Sequence, residues 1–211
     1  MKVAFAQEDF PFAEKTVPLV RRVVSRLKMT RKLNSVMLDI IDLASPSPKN
    51  PADSIEVYSN GGVRLHLKLD HFLKDKFRRD PRRRDTKSVA LARAFDPEST
   101  QEVLFRLLLQ WRDVQDWGIP ENQDEEFLCL WNVHVAGRLD RMNAPCASKS
   151  AHWDEFLRIF SSGQYIPEFL VVFEVLWKCD DLGMWGLNDM LYRLRASRQY
   201  RPLQMEKTRA R

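Results

Sequence analysis

The strongest constraint on the fold is an alternation of apolar and polar side chains over residues 55–58 and 63–70. A period of two is typical of a half-buried β-strand. The two stretches flank Asn60-Gly61-Gly62, a sequence that favours a tight turn. The sequence therefore predicts a β-hairpin over residues 55–70.

The register of this hairpin follows from the need to keep one face apolar. A two-residue turn at Asn60-Gly61 would place Val57 opposite Arg64 and mix the two faces. A three-residue turn with glycine in the left-handed conformation avoids this mixing, so we prefer it. The pairs that it predicts are Val57 with Leu65, Ile55 with Leu67 and Glu56 with His66.

Apolar residues recur at helical spacing from residue 16 onward. This pattern predicts one long helix, or two with a break near Thr30, that ends at about Leu43. Three prolines within residues 45–51 then impose a loop. A short strand is expected before the helix, over residues 2–6.

Further helices are expected in the second half of the chain. Asp96 and Pro97 predict the N-cap and the first residue of a long apolar helix that ends near Gly118. The remaining helices are expected through 127–135, through 153–160, from Pro167 and from about Leu187. We therefore predict a helix-dominated α+β domain with a small antiparallel β-sheet. It would span residues 1–211 as a single domain, with a frayed basic tail over 198–211.

Several classes of protein are excluded by short motifs and by cysteine usage. The apolar stretch after Lys2 has four residues, against about 7–15 in a secretory signal. No stretch approaches the roughly 20 apolar residues of a membrane span. The glycine motifs of dinucleotide-binding and P-loop proteins are missing, and the three cysteines show no C-x-x-C spacing. We therefore expect a cytoplasmic protein with reduced thiols and no membrane partner.

Charge is strongly segregated along the chain. The net charge is +5, but residues 15–32, 74–87 and 193–211 carry +7, +5 and +6, so the rest carries −13. Six acidic residues and no basic residue lie in residues 113–126. Such segregation has three explanations: phosphate binding to a nucleic acid, binding to an acidic protein, or solvated surfaces whose charges pair internally.

The first two explanations define a set of candidate binding residues. Arginine and lysine side chains that neutralise phosphates release counterions, so such binding falls steeply with added salt. The candidates in the first segment are Arg21, Arg22, Arg26, Lys28, Arg31 and Lys32. The candidates in the second segment are Arg78, Arg79, Arg82, Arg83 and Arg84.

Catalytic and metal-binding patterns are weak. The four histidines form neither H-x-H nor H-E-x-x-H, and His66 is better explained by a cross-strand pair with Glu56. Cys129 and His134 lie only roughly on one helical face, and core cysteines are usually inert. All six tryptophans lie at or after Trp111 and are expected to be core residues, with Trp117 and Trp185 the best candidates for exposure. We therefore expect no metal and no cofactor.

The order of elements resembles that of zincins, a class of small zinc metallopeptidases. A helix, a hairpin, a long apolar helix and a helix opened by acidic residues follow one another in both. In that family the long helix carries H-E-x-x-H, and here Arg106 and Gln110 stand in place of the histidines and Leu107 in place of the catalytic glutamate. Glu125 or Glu126 would be nearest to the third ligand. The resemblance implies a metal-free relative rather than a peptidase.

These patterns favour a non-catalytic interaction or regulatory protein. It would use the basic surfaces of residues 15–32 and 74–87 to bind an acidic partner, either a nucleic acid or a protein. Two alternatives stay open: the metal-free zincin relative, and an enzyme with an unrecognised site in the tryptophan-rich C-terminal half.

Overall fold

A helix-dominated α+β architecture is present in the computed structural model, which describes residues 1–41, 53–74, 94–119, 123–161 and 167–209. Of residues 198–209 only the backbone is described. The chain divides into two compact units, Met1–Trp111 and Arg112–Arg211. The single domain expected from the sequence stays a prediction. No helix of the described residues is long and apolar enough to cross a membrane.

Unit 1 contains a four-stranded sheet in the order β1-β2-β4-β3. Strands β1, β2 and β4 run parallel, and β3 is antiparallel to β4. The sheet is therefore mixed, and the expectation of an antiparallel sheet was wrong. The reason is the β1-α1-β2 connection, because a helical crossover joins parallel strands. The elements are β1 (Lys2–Phe5), α1 (Ala13–Arg26), β2 (Ser35–Ile41), β3 (Ser54–Val57), β4 (Gly62–Lys68) and the start of α2 (Pro97–Trp117).

The helix predicted to continue to about Leu43 instead ends at Arg26, and β2 follows. In β2, Val36 and Leu38 are buried while Met37 and Asp39 on the opposite face are only partly covered. Apolar residues at 33, 36, 37, 40 and 41 fit a helix, but the β-branched residues among them also fit a strand. Pairing with β1 and β4 on both sides decides in favour of the strand.

The predicted hairpin is confirmed, and its register differs by two residues. Val57 pairs with Val63 and Ile55 with Leu65, so the predicted partners Leu65 and Leu67 were wrong. The turn has three residues and its glycine is left-handed, as expected, but it lies one residue earlier, with Gly61 at φ 77°. A shift of two residues keeps every side chain on its face, so the apolar face survives.

Unit 2 is built from helices. They are the end of α2 from Arg112, then α3 (Glu125–Arg141), α4 (Lys149–Phe160), α5 (Pro167–Lys178) and α6 (Gly183–Arg209). Helix α3 packs against α4, α5 and α6. The tail expected to fray is helical as far as Arg209. The helix positions after Asp96 and from Pro167 are confirmed, since Asp96 accepts a hydrogen bond from the backbone of Ser99 and α5 begins at Pro167.

Candidate binding surface

The candidate residues of the first basic segment are all exposed, three on α1 and three in the turn after it. Eight positions between residues 21 and 32 are exposed; six are basic, and the other two are Ser25 and Thr30. None of these eight is acidic or apolar. We call the six basic residues the basic face: Arg21, Arg22, Arg26, Lys28, Arg31 and Lys32.

The basic face is held in place by the apolar residues between its members. The inner side of α1 buries Leu19, Val20, Val23 and Val24, which lie at helical spacing. In the turn, the side chains of Leu27, Met29 and Leu33 are at most 2% exposed. Alternation of buried and exposed positions therefore directs the cations to solvent from a fixed backbone.

Lys28 occupies a backbone conformation that usually belongs to glycine. It follows the C-terminus of α1 with φ 57°, and its N–H donates to the Ser25 carbonyl at 3.0 Å. The N–H of Met29 donates to the Val24 carbonyl at 2.9 Å, which completes a Schellman motif. A left-handed residue with a Cβ costs roughly 1–2 kcal/mol. Backbone stability thus favours glycine here, yet the chain has a lysine, which adds a cation to the basic face.

Exchanging Lys28 for glycine or alanine tests this conformation, because both variants remove the same charge. We expect Lys28→Gly to be more stable than Lys28→Ala by about 1 kcal/mol in urea unfolding, since only glycine avoids the Cβ strain. At Arg22, within α1, the order should reverse, because alanine is favoured over glycine by about 1 kcal/mol in a helix. The same order at both positions would contradict a left-handed Lys28.

Four members of the basic face, Arg21, Arg22, Lys28 and Arg31, form no ion pair with any residue that the structure describes. Arg26 lies with its guanidinium 5.5 Å from the ring centre of Phe105. The charges of Arg21, Arg22, Lys28 and Arg31 are therefore not compensated by any carboxylate that the structure describes.

The two described arginines of the basic C-terminal segment, Arg193 and Arg195, are paired with carboxylates. Arg193 pairs with Asp189 at 3.0 Å, and Arg195 pairs with Asp124 at 2.6 Å and Glu126 at 2.7 Å. A backbone hydrogen bond from Phe127 and the contact with Arg195 lower the pKa of Asp124. For these two arginines, internal pairing with acidic residues is confirmed.

The second group of candidates lies outside the described residues. These are Arg78, Arg79, Arg82, Arg83 and Arg84, and their binding role stays a prediction. The described residues on either side are held together: the Lys74 N–H donates to the Ala94 carbonyl at 2.8 Å, and Leu73 forms an antiparallel bridge with Phe95.

A charged cluster covers the sheet face opposite the apolar one. Asp39 contacts Arg64 at 2.7 Å and the Nδ1 atom of buried His66 at 3.2 Å. The Nε2 atom of His66 lies 3.1 Å from Glu56, which confirms the predicted cross-strand contact although the residues are not directly opposite. Both contacts are at ion-pair distance without hydrogen-bond alignment. Because each carboxylate already faces a basic group, the cluster is suited to holding the strands together.

A second cluster joins Asp53, His71 and Arg106, and sequence reasoning missed it. The Nε2 atom of His71 lies 2.9 Å from both carboxylate oxygens of Asp53, and Arg106 contacts one of them at 3.1 Å. Burial would raise the pKa of Asp53, but the hydrogen bond to His71 and the nearby charges lower it overall. Arg106 lies 53 positions from Asp53, so no local pattern could link them.

This second cluster ties the start of β3 to the end of β4 and to α2. Such an Asp–His pair can orient an imidazole as a general base. Among the described residues, the His71 ring contacts no serine, threonine or cysteine side chain, since the Thr100 hydroxyl donates to the His71 backbone carbonyl and not to the ring. Arg106, which the zincin resemblance placed at a histidine position, is engaged here with Asp53. No group of three His, Cys, Asp or Glu side chains in the described ranges is arranged to hold a metal ion.

The tryptophan-rich half contains a buried ion pair. Asp113 is 1% exposed and accepts hydrogen bonds from Arg138 at 2.5 Å and from the indole N–H of Trp131 at 2.9 Å. Burial raises the pKa of Asp113, while Arg138 and Trp131 oppose that effect. The half-buried ring of Trp117 lies 5.1 Å from the Arg138 guanidinium. Of the two tryptophans expected to be exposed, Trp185 is 89% exposed and Trp117 is not.

Two further features of this half, the Cys129–His134 pair and a groove along α5, are poorly suited to catalysis. Burial and nearby Glu155 raise the pKa of Cys129 to about 12, and burial and Arg138 lower that of His134 to about 4. A cysteine with this pKa is a thiol at neutral pH, so it is not an activated nucleophile. An open groove of about 630 Å³ runs along α5. Its lining includes Glu174, but the carboxylate of that residue is taken by Lys149 and Lys178.

No protein-family model, curated protein or solved structure matches this chain. The zincin resemblance therefore stays a prediction from the order of elements.

Proposed function

We propose that this chain is a non-catalytic interaction protein that binds an acidic macromolecule through its basic face. The observation that carries the proposal is the exposure of all six basic residues on a fixed helix and turn, four of them without an ion pair in the described part of the chain. The arginine-rich residues 78–84 belong to the same proposal on sequence grounds.

The electrostatics of the basic face support this function. Like charges four positions apart on a helix, as at Arg22 and Arg26, destabilise it by about 0.2–0.5 kcal/mol. Two unit charges about 6 Å apart repel by about 0.7 kcal/mol even in water. A polyanion relieves this repulsion and releases its own counterions on binding. The basic face therefore gains more from an acidic partner than from solvent.

Charge reversal tests the proposal with two soluble polyanions, heparin and poly-L-glutamate. Two variants are compared with the wild type. One carries Arg21→Glu with Arg22→Glu, and the other carries Arg82→Glu with Arg83→Glu and Arg84→Glu. We expect each variant to bind both polyanions at least about tenfold more weakly than the wild type at low salt. Each substitution replaces attraction to the polyanion by repulsion. Circular dichroism should show an unchanged fold, since the side chains of Arg21 and Arg22 are exposed.

A matched control keeps the net charge equal to that of the double variant. Lys178→Glu with Arg193→Glu changes two exposed cations of unit 2 that form surface pairs within their own helices. We expect it to bind both polyanions like the wild-type chain. If the control and the Arg21 and Arg22 variant lost affinity equally, total charge rather than the basic face would govern binding, and the proposal would be wrong.

A further inference from the structure

The composition of the exposed positions indicates which acidic macromolecule fits the basic face. The side chains that protrude between residues 21 and 32 are arginine, lysine, serine and threonine alone. Arginine, lysine, serine and threonine are among the side chains that contact the phosphates and sugars of nucleic acids. From this composition we infer that the partner is a nucleic acid duplex, held through its phosphates. This inference rests on the proposed function and names its partner.

An acidic protein fits the same surface less well. Stable protein interfaces concentrate their binding energy in buried tryptophan, tyrosine and arginine anchors surrounded by contacts that exclude water. The basic face has arginines, but none of the eight exposed positions between residues 21 and 32 is aromatic or aliphatic. Exposed ion pairs contribute only about 0–1 kcal/mol each, so charge alone would hold a folded protein weakly.

A single strand is also disfavoured. Proteins that bind single strands stack the bases on aromatic side chains, and each stacked base is worth about 1–3 kcal/mol. No aromatic residue is exposed between residues 21 and 32. A duplex has its bases already stacked and carries its phosphates and sugars along its outside, which matches what the basic face offers.

Two cations of α1 can contact one backbone strand together. Arg22 and Arg26, four residues apart, lie on the same side of the helix and about 6 Å apart along its axis, at 1.5 Å per residue. Phosphate contacts fix the position of a protein on a duplex but carry no sequence information. Binding should therefore be independent of base sequence.

Fluorescence anisotropy over a salt series tests the inference with the full-length chain. The probes are a mixed-sequence DNA duplex, a second duplex of shuffled sequence, the same sequence as an RNA duplex, and one single strand. If the four cations without ion pairs each neutralise one phosphate, the logarithm of the DNA association constant should fall with the logarithm of salt with a slope at least as steep as about −3.6, and contacts from the other basic residues would steepen it. The shuffled duplex should bind equally, and the single strand more weakly.

Glutamine variants show which residues contact the phosphates. Arg21→Gln with Arg22→Gln should reduce the steepness of the slope by about 1.8. If the wild type and the variant bind equally at 1 M salt, this difference corresponds to about 60-fold weaker duplex binding by the variant at 0.1 M salt. The control Lys178→Gln with Arg193→Gln should leave the slope unchanged. Thermal unfolding of each variant shows whether the fold is kept.

The outcomes distinguish failure of the duplex inference from failure of the proposed function. Tighter binding to the single strand, a preference for one duplex sequence, or an unchanged slope in the Arg21 and Arg22 variant would overturn the duplex inference. Binding to poly-L-glutamate but to neither DNA nor RNA duplex would overturn it and leave the proposed function standing. Failure to bind any polyanion at low salt would overturn both.

Discussion

Asp113→Ala should destabilise unit 2 by about 3–5 kcal/mol. The substitution leaves the Arg138 guanidinium buried without its counter-charge, and it leaves the indole N–H of Trp131 without an acceptor. Removing one partner of a buried ion pair costs this much because the remaining charge is no longer compensated. Urea unfolding followed by tryptophan fluorescence measures the change in the free energy of unfolding.

The pair itself contributes less than its disruption costs. A double variant, Asp113→Leu with Arg138→Met, removes both charges and replaces them with apolar side chains of similar size. We expect it to be at least about 2 kcal/mol more stable than Asp113→Ala, because no buried charge stays unpaired. Asp113→Asn should lie between the wild type and Asp113→Ala, since an amide oxygen still accepts hydrogen bonds. An Asp113→Ala variant as stable as the wild type would refute the buried pair.

Gly137→Ala should destabilise unit 2 by about 2 kcal/mol through a steric clash. A Cβ at this position of α3 would overlap the carbonyl oxygen of Trp177 and lie 2.7 Å from its Cα atom. These are backbone atoms of α5, so the helices would have to separate. Overpacking a well-packed interface costs about 1–3 kcal/mol and occasionally more. Alanine's helix propensity, about 1 kcal/mol better than glycine's, offsets only part of that cost.

A second glycine provides the control for this prediction. The nearest atoms to a Cβ at Gly186 are the Cβ and Cδ2 atoms of Leu182, both at 3.1 Å, so relieving the contact takes a shift of only a few tenths of an ångström. We therefore expect Gly186→Ala to change stability by less than about 1 kcal/mol in urea unfolding. The prediction fails if both variants have the same midpoint, because close approach of the α3 and α5 backbones would then not matter.

Local sequence patterns predicted correctly those elements that are determined by interactions between residues close in the chain. The N-cap at Asp96, the start of α5 at Pro167 and the hairpin with its left-handed glycine all follow from residues close in the chain. Exposure of the six basic candidates also followed from the pattern, because apolar residues at the intervening positions form the inner side of α1.

Non-local interactions account for most of the errors. Residues 35–41 fit a helix or a strand equally by spacing, and only pairing with β1 and β4 selects the strand. The observed hairpin register differs from the predicted one by two residues. Both registers place the same side chains on the apolar face, so the hydrophobic pattern alone was unable to distinguish them. In the Asp53 cluster, His71 and Arg106 are 18 and 53 positions from Asp53 in the chain. In the buried pair, Asp113 and Arg138 are 25 positions apart.

The sequence by itself determined the class of fold, the ends of several helices and the segregation of charge, because these depend on composition and short-range periodicity. Only the tertiary structure decided which charges are compensated. Arg195 and Arg138 meet carboxylates that are distant in the chain, whereas Arg21 and Arg22 meet none among the described residues. The physical reason is that an ion pair depends on a separation of about 4 Å in space, which sequence distance does not specify.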